Sequence, residues 1–406
     1  MAKLSAAFNR LWSASIASNL ADGVLRTAGP LVAVHFTESP VLISLISALT
    51  MLPWLLFAIP IGAMADRVDR RKLLATANII RGFTAAATAV TISLHQMNIG
   101  WLFLVIAIFG TCEVITDTAA QTLIPSMLQK DELEQGNSRL YFAESIVQGF
   151  IGSPIGGLIY ALAIALPFYV TSAGYFVAAL MIASIPFQSF KANEKPSQRQ
   201  SLIADIKFGL NYLYKHKDMR HLVIFTTAVG VIFNFSGATM ILFILKTLHL
   251  KSSLFGVVMA IEGIGALLGS VYAAKLSQKF GRGKVMGHAM FWHCLLFGIS
   301  GFFTNIIPFV IVGVVINFLI TMWNILIMAT YQELIPNHLY GRIHGARRTF
   351  VWGMMPVGSL LGGLASNAFG LRMPIITGAA LATILTFLNL AFFDRLTKNS
   401  ANATTS

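Results

Sequence analysis

Long apolar segments alternate with short polar segments along nearly the whole of this 406-residue chain. About twelve apolar segments can be separated in this way, and each approaches the ~20 residues that a helix needs to cross a bilayer. They begin near residues 9, 41, 73, 99, 139, 167, 220, 253, 285, 306, 345 and 373. The pattern predicts an all-α polytopic membrane protein with twelve transmembrane helices.

Composition and charge agree with this prediction. Hydrophobic residues make up 56% of the chain and charged residues only 11%, whereas soluble domains carry roughly 25% charged residues. The net charge of +13 collects in alternate loops, so we interpret it as the signal that keeps basic loops cytoplasmic and not as a nucleic-acid surface. These loops are 65–72, 129–139, 188–219, 275–284 and 338–348. Both termini are therefore expected in the cytoplasm, and the protein in a plasma membrane, as in the inner membrane of a bacterium.

The longest polar break divides the predicted spans into six and six. We predict an N-terminal six-helix bundle at 1–187, a cytoplasmic linker with an amphipathic helix at 188–219, a C-terminal bundle at 220–397 and a polar tail at 398–406. Residues 121–125 read Gln-Thr-Leu-Ile-Pro and residues 332–336 read Gln-Glu-Leu-Ile-Pro, which indicates an internal repeat. Related halves of this kind favour alternating access around a site near the membrane midplane.

A dense run of charge lies in the loop after the second span. The spacing of its residues resembles a loop motif of the major facilitator superfamily, and the likeness to that family covers essentially the whole chain. The matching residues are Gly62, Asp66, Arg67, Arg70 and Arg71. Asp69 stands where the motif usually has glycine, and we expect Asp to tolerate a left-handed backbone there.

The resemblance implies roles for the residues of this motif. Asp66 is expected to face the start of the eleventh span, where helix amides carry partial positive charge. Asp117, toward the cytoplasmic end of the fourth span, is expected to bind Arg70 or Arg71 as a gating contact. The alternative is that the arginines are solvated residues that only orient the chain in the membrane.

The fifth predicted span contains a glycine-rich sequence that resembles a motif of exporters and antiporters. Its residues are Gly149, Gly152, Pro154 and Gly157, with Ser153 in place of one glycine. The alternative interpretation is close helix packing, because small residues let two backbones approach in lipid. Short segments elsewhere look like the branch of enterobactin-type siderophore exporters and macrolide efflux proteins.

Polar side chains inside the spans are the candidates for coupling and substrate binding, because they are costly in a bilayer. The ionisable ones are Asp22, Arg26, Arg81, Glu113, Asp117, Glu144 and Glu262, and the amides are Asn234, Asn317 and Asn324. Asp22 and Arg26 share a helical face and are close enough in sequence to pair. Glu113 is the preferred candidate for proton or cation recognition, Glu262 a second protonation site, and the amides line the cavity or bridge helices.

The sequence thus predicts a secondary active transporter, a proton-coupled exporter of a small organic molecule such as a siderophore or drug. The alternatives are an importer or lysophospholipid flippase of the same fold, and a non-transporting membrane receptor. We expect no enzymatic activity, no catalytic residue, no metal site and no cofactor, with a proton gradient as the energy source. The expected partners are a small-molecule substrate and the lipid bilayer, with no nucleic acid, and the expected state is a monomer.

Overall fold

The computed structural model describes residues 5–65, 68–128, 132, 136, 139–140, 143–186, 211–335, 343, 347 and 350–403. Helices, and no strands, form the regular structure of these residues. The long helices are α1 (Ala6–Phe36), α2 (Pro40–Ala65), α3 (Arg70–Ser93), α4 (Ile99–Met127), α5 (Ser153–Leu162), α6 (Leu166–Ala183), α7 (Lys217–Gly237), α8 (Phe255–Phe280), α9 (Arg282–Ser300), α10 (Ile306–Leu334), α11 (Met355–Phe369) and α12 (Arg372–Ala403).

Short helical segments join some of these elements. A π-helical segment, Ala143–Gly152, leads directly into α5. The turn Met240–Leu242, the π-helical Phe243–Thr247 and the 3₁₀ turn Ser252–Leu254 lie between α7 and α8. A π-helix is uncommon and usually short, so the ten residues of the first segment mark a local departure from α-helical geometry.

Eight stretches of the described residues are long and apolar enough to cross a membrane. One of them, Lys217–Thr247, combines α7 with the two short segments that follow it. The all-α prediction is confirmed, whereas length and hydropathy alone do not reach twelve spans. Helices α1, α5, α9 and α11 are the ones outside the eight.

Polar side chains fix the starts of several helices. Ser5 Oγ accepts a hydrogen bond from the amide of Phe8 at 3.2 Å and caps α1, and Asn305 caps α10 through the amide of Ile307 at 2.8 Å. Asp69 caps α3 by accepting from the amide of Arg71 at 2.9 Å. Asp69 has φ −58°, so the expectation of a left-handed backbone is wrong. Asp is favoured here because its carboxylate satisfies an unpaired amide of the first turn.

The chain divides into two compact units. Unit 1 contains Met1–Thr37, Leu49–Gln200 and Ser252–Val257, and unit 2 contains Glu38–Ala48, Ser201–Lys251 and Val258–Ser406. The first residues of α2 thus group with unit 2, and the first residues of α8 with unit 1. The predicted bundles at 1–187 and 220–397 stay a prediction, and most of the predicted linker, at 187–210, lies outside the described residues.

Each unit contains a helix pair in which glycines allow very close approach. In unit 1, a Cβ on Gly156 of α5 would overlap the carbonyl oxygen of Val24 on α1. In unit 2, a Cβ on Gly362 of α11 would overlap the carbonyl oxygen of Phe235 on α7. The two glycines are 206 positions apart, close to the spacing of the sequence repeat. The repeated glycines therefore serve the same packing contact in both units.

Candidate functional site

Three helices of unit 1 meet at an ion pair between Asp22 on α1 and Arg81 on α3. Arg81 Nη1 lies 3.3 Å from Oδ1 and 3.4 Å from Oδ2 of the Asp22 carboxylate. The hydroxyl of Tyr175 on α6 donates to Oδ1 of Asp22 at 2.6 Å. The guanidinium of Arg81 also lies 5.4 Å from the centre of the Tyr175 ring, within the range of a cation–π contact. We name Asp22, Arg81 and Tyr175 the unit 1 charge cluster.

The members of the unit 1 charge cluster differ in exposure. The Arg81 side chain is 3% exposed and the Asp22 side chain 22% exposed, while Tyr175 is fully buried. Arg81 also donates to the carbonyl of Phe109 on α4 at 3.5 Å. The cation is thus fixed in the helix interior, and the carboxylate is the member that a proton or a ligand can reach.

The sequence brings α3 and α6 together through small and polar residues next to this cluster. Ser172 on α6 donates to the carbonyl of Gly82 on α3 at 2.9 Å. A Cβ on Gly82 would lie 2.9 Å from the Phe176 ring, so the ring packs against bare backbone. This close contact positions Arg81 and Tyr175, the neighbours of Gly82 and Phe176 in sequence, on either side of Asp22.

The pairing predicted from helical spacing differs from the pairing in the structure. Asp22 forms its ion pair with Arg81 and not with Arg26, which is exposed on α1. Four-residue spacing places two side chains on one helical face, but a buried cation on a neighbouring helix offers the carboxylate a partner that is already desolvated. The sequence shows Arg81 as an intramembrane charge without indicating its partner, and nothing in it points to Tyr175.

Glu113 and Asp117 extend the cluster along α4. Both side chains are half-buried, and Glu113 interacts electrostatically with Asp22, Arg81, Asp117 and Arg26. The structure therefore brings the two predicted acids Asp22 and Glu113 into one charged region. The proton-binding role of either acid stays a prediction.

The charged loop motif lies partly outside the described residues. Asp66 and Arg67 fall outside them, and so does the predicted contact of Asp66 with the eleventh span. Gly62 belongs to α2, and Arg70 and Arg71 begin α3. Arg71 donates to the carbonyl of Ile185, just after α6, and lies 3.6 Å from the carboxylate of Asp69. The gating contact of Asp117 with Arg70 or Arg71 stays a prediction.

The glycine-rich motif of the fifth span serves several contacts in the structure. A Cβ on Gly152 would lie 2.8 Å from the Cα of Gly23 on α1, while a Cβ on Gly149 would meet open space. Pro154 lies in the first turn of α5, where its missing amide hydrogen costs no helical bond. Gly157 packs against the backbone of Gly256 in the same unit. The structure thus shows the close approach, and a role in proton sealing stays a prediction.

A second polar contact lies in unit 2, between α8 and α10. Asn317 Nδ2 donates to the Glu262 carboxylate at 3.5 Å and to the carbonyl of Gly313 at 3.0 Å. Asn234 donates to the carbonyl of Gly230 at 2.9 Å and accepts from the hydroxyl of Ser359 at 3.4 Å. Asn324 is exposed. Glu262 and Asn317 therefore form one contact, and the other two amides lie apart from it in the hydrogen bonds described.

Sequence reasoning also misses His293 on α9. Its side chain is 6% exposed, and its Nδ1 lies 3.2 Å from the carbonyl of Ile316 on α10. Phe233 packs against it with ring centres 4.8 Å apart. The described residues contain no group of three or more His, Cys, Asp or Glu side chains arranged to hold a metal ion.

Comparison with known proteins settles the family. The sequence model of the Major Facilitator Superfamily matches residues 11–357 and, in a second match, 245–405. The chain belongs to the major facilitator superfamily. The resemblance carried by the loop motif is thereby confirmed, and the protein is a multi-pass membrane transporter of this superfamily.

Two relatives illustrate the range of functions in proteins similar to this major facilitator. The staphyloferrin A transporter of Staphylococcus aureus is 25% identical over 343 residues, which cover 82% of this chain and 83% of the relative. The multidrug efflux pump Tap of Mycolicibacterium fortuitum is 22% identical over 389 residues, 94% of each chain. These similarities do not specify the substrate or direction of transport.

A solved structure shows the same fold. The crystal structure of the nucleoside transporter NupG superposes with a TM-score of 0.71 at 16% sequence identity, covering 96% of this chain and 99% of that one. At this identity the likeness concerns the fold alone.

Proposed function

We propose that this transporter is a proton-coupled exporter of a small organic molecule, such as a siderophore or a drug, that works by alternating access in a bacterial inner membrane with both termini in the cytoplasm. The observation that carries the proposal is the unit 1 charge cluster, in which the partly exposed Asp22 meets the buried Arg81. The half-buried Glu113 lies in the same electrostatic field. The similarity to a siderophore transporter and to a multidrug efflux pump supports this range of substrates.

The cluster provides a physical basis for coupling to protons. Ionisable groups in a membrane protein's interior are costly and commonly belong to ion or proton pathways. Because Arg81 stays charged, protonation of Asp22 or Glu113 changes the net charge of the region by one unit. Proton uptake from outside would lower the cost of carrying the empty site through a dry intermediate, and substrate binding from inside would displace the proton. Export therefore follows from competition between substrate and proton for the same region.

Comparative metabolite analysis of cells and medium tests this function. Cells would carry the wild-type protein, Glu113→Gln or no protein, under iron limitation and iron repletion, with chloramphenicol and erythromycin added as drug probes. We expect at least one compound to accumulate in the medium with wild type, and its export to fall about tenfold or more with Glu113→Gln, the upper range for losing one proton-transfer group being larger. Iron dependence of the exported compound would indicate a siderophore.

Two results would contradict the proposal. Accumulation of a compound inside wild-type cells would indicate the importer or flippase alternative. Full gradient-driven export by Glu113→Gln would remove Glu113 from the mechanism. Tolerance of Asp22→Asn with no pool changed by wild type would favour a non-transporting receptor. Membrane abundance of each variant, measured by blotting, is the control for expression.

A further inference from the structure

Glu262 of α8 lies in a recess that α10 provides. A Cβ on Gly313 would overlap Oε1 of the Glu262 carboxylate, so glycine leaves the space that this oxygen occupies. Asn317, four residues further along the same face of α10, directs its amide nitrogen at Oε2 from 3.5 Å. The helices are close enough for this contact because Gly265 of α8 packs against the backbone of Val314.

The negative charge of Glu262 lacks a compensating cation in the described part of the chain. Asp22 of unit 1 is paired with Arg81, whereas Glu262 meets the neutral amide of Asn317. Among the described residues, α10 presents no titratable side chain to Glu262, and no other charged group contributes to its electrostatic environment. A carboxylate in a membrane-spanning helix normally has a partner or a functional role. The positive charge that balances Glu262 therefore comes from outside the chain.

The composition of the recess limits what this positive species can be. Calcium takes about six to eight oxygen ligands and magnesium about six, but the recess offers one carboxylate, and the amide of Asn317 presents its N–H side. No acid, His or Cys joins Glu262 in a metal-binding group of the described residues. A proton or the charged nitrogen or phosphorus centre of an organic cation needs only one carboxylate. Both species would compete for the same two oxygens.

The position of the recess suits a transported ligand. Glu262 lies roughly 15 Å along the helix from Ser252, and Asn317 lies a similar distance from the start of α10, at 1.5 Å per residue. Both residues are half-buried and thus well inside a hydrocarbon core of about 30 Å. Transporter sites of this fold type lie near this depth, so the carboxylate is both shielded from bulk water and open on one side.

We propose that Glu262, held by Asn317 and accommodated by Gly313, binds the positively charged group of an organic-cation substrate in competition with a proton. This inference rests on the proposed transport of small organic molecules and adds a substrate class to it. Neutral substrates do not need the carboxylate, so Glu262 separates cationic from neutral substrates.

Equilibrium binding of tritiated tetraphenylphosphonium to the purified full-length protein in detergent tests the site. We expect wild type to bind the cation more tightly as the pH rises, because protons compete less, and Glu262→Gln to bind it at least about tenfold more weakly, as loss of one charged contact predicts. Gly313→Ala should also weaken binding, because its methyl group crowds the carboxylate. The control Glu38→Gln makes the same substitution at a side chain of unit 2 that is 76% exposed, and it should bind like wild type.

The outcomes distinguish this inference from the proposed function. Absence of tetraphenylphosphonium binding by wild type, or equal binding by wild type and a folded, monodisperse Glu262→Gln, would overturn the inference. Gradient-driven extrusion of neutral chloramphenicol by wild type would leave the proposed function standing in either case. Conversely, Glu262-dependent binding without gradient-driven extrusion of tetraphenylphosphonium or chloramphenicol by wild type would support the site and contradict the proposed function.

Discussion

At the residue scale, the structure assigns partners that the sequence does not reveal. The sequence indicates that Asp22, Arg81, Glu113 and Glu262 are costly intramembrane charges, because each interrupts an apolar segment. Helical spacing offers Arg26 as the partner of Asp22, but the ion pair forms with Arg81, 59 positions away. Pairing between helices depends on which faces meet, and a single sequence does not contain that information.

The different exposures of the paired charges lead to a stability prediction. Asp22→Asn leaves Arg81 charged and buried, and we expect a loss of about 3 kcal/mol, the lower end for breaking a buried ion pair. Arg81→Met should cost less, because the 22% exposed Asp22 side chain retains some hydration. The double variant should be more stable than the sum of the two losses predicts.

Thermal unfolding of the purified variants in detergent, followed by tryptophan fluorescence, measures these differences. Tyr175→Phe serves as the control, because it removes the 2.6 Å hydrogen bond to Asp22 but leaves both charges in place. Strictly additive losses in the double variant would show that Asp22 and Arg81 contribute independently, against this account.

At the scale of the helices, hydropathy predicts that the elements exist but not how they begin or pack. The predicted fifth span begins near residue 139, whereas the structure has π-helical geometry over Ala143–Gly152 before α5. Apolar periodicity does not encode this geometry, because a π-helix inserts its extra residue in response to local contacts. The glycines of α5 were predictable as packing residues, but only the structure shows that Gly156, and not Gly149, faces another backbone.

This difference between the two glycines gives a matched pair of substitutions. Gly156→Ala places a methyl group against the carbonyl of Val24, and we expect a loss of about 1–3 kcal/mol, as for other overpacked positions. Gly149→Ala adds the same methyl group in open space and should stay within about 0.5 kcal/mol of wild type. Unfolding temperatures of the two variants in detergent check the prediction. Equal stability of both would contradict the close approach of α1 and α5.

At the scale of the whole molecule, the repeat and the family were predictable, and the division into units was not. The match of Gln-Thr-Leu-Ile-Pro with Gln-Glu-Leu-Ile-Pro foreshadows the equivalent glycine contacts of α5 with α1 and of α11 with α7. In the structure, however, the first residues of α2 and of α8 group with the unit opposite to the rest of their helix. Membership of a unit is decided by tertiary contacts at helix ends, which hydropathy does not describe.

The central claim is that transport by this major facilitator is coupled to protons through the acids of unit 1. Inside-out membrane vesicles energised by respiration, with acridine orange reporting the pH gradient, test it most directly when chloramphenicol, erythromycin or tetraphenylphosphonium is added. We predict that at least one probe releases protons from wild-type vesicles, seen as fluorescence recovery, and that Glu113→Gln vesicles of equal protein content show little or none. Probe accumulation by wild-type vesicles that continues unchanged after a protonophore has collapsed the gradient would contradict the claim.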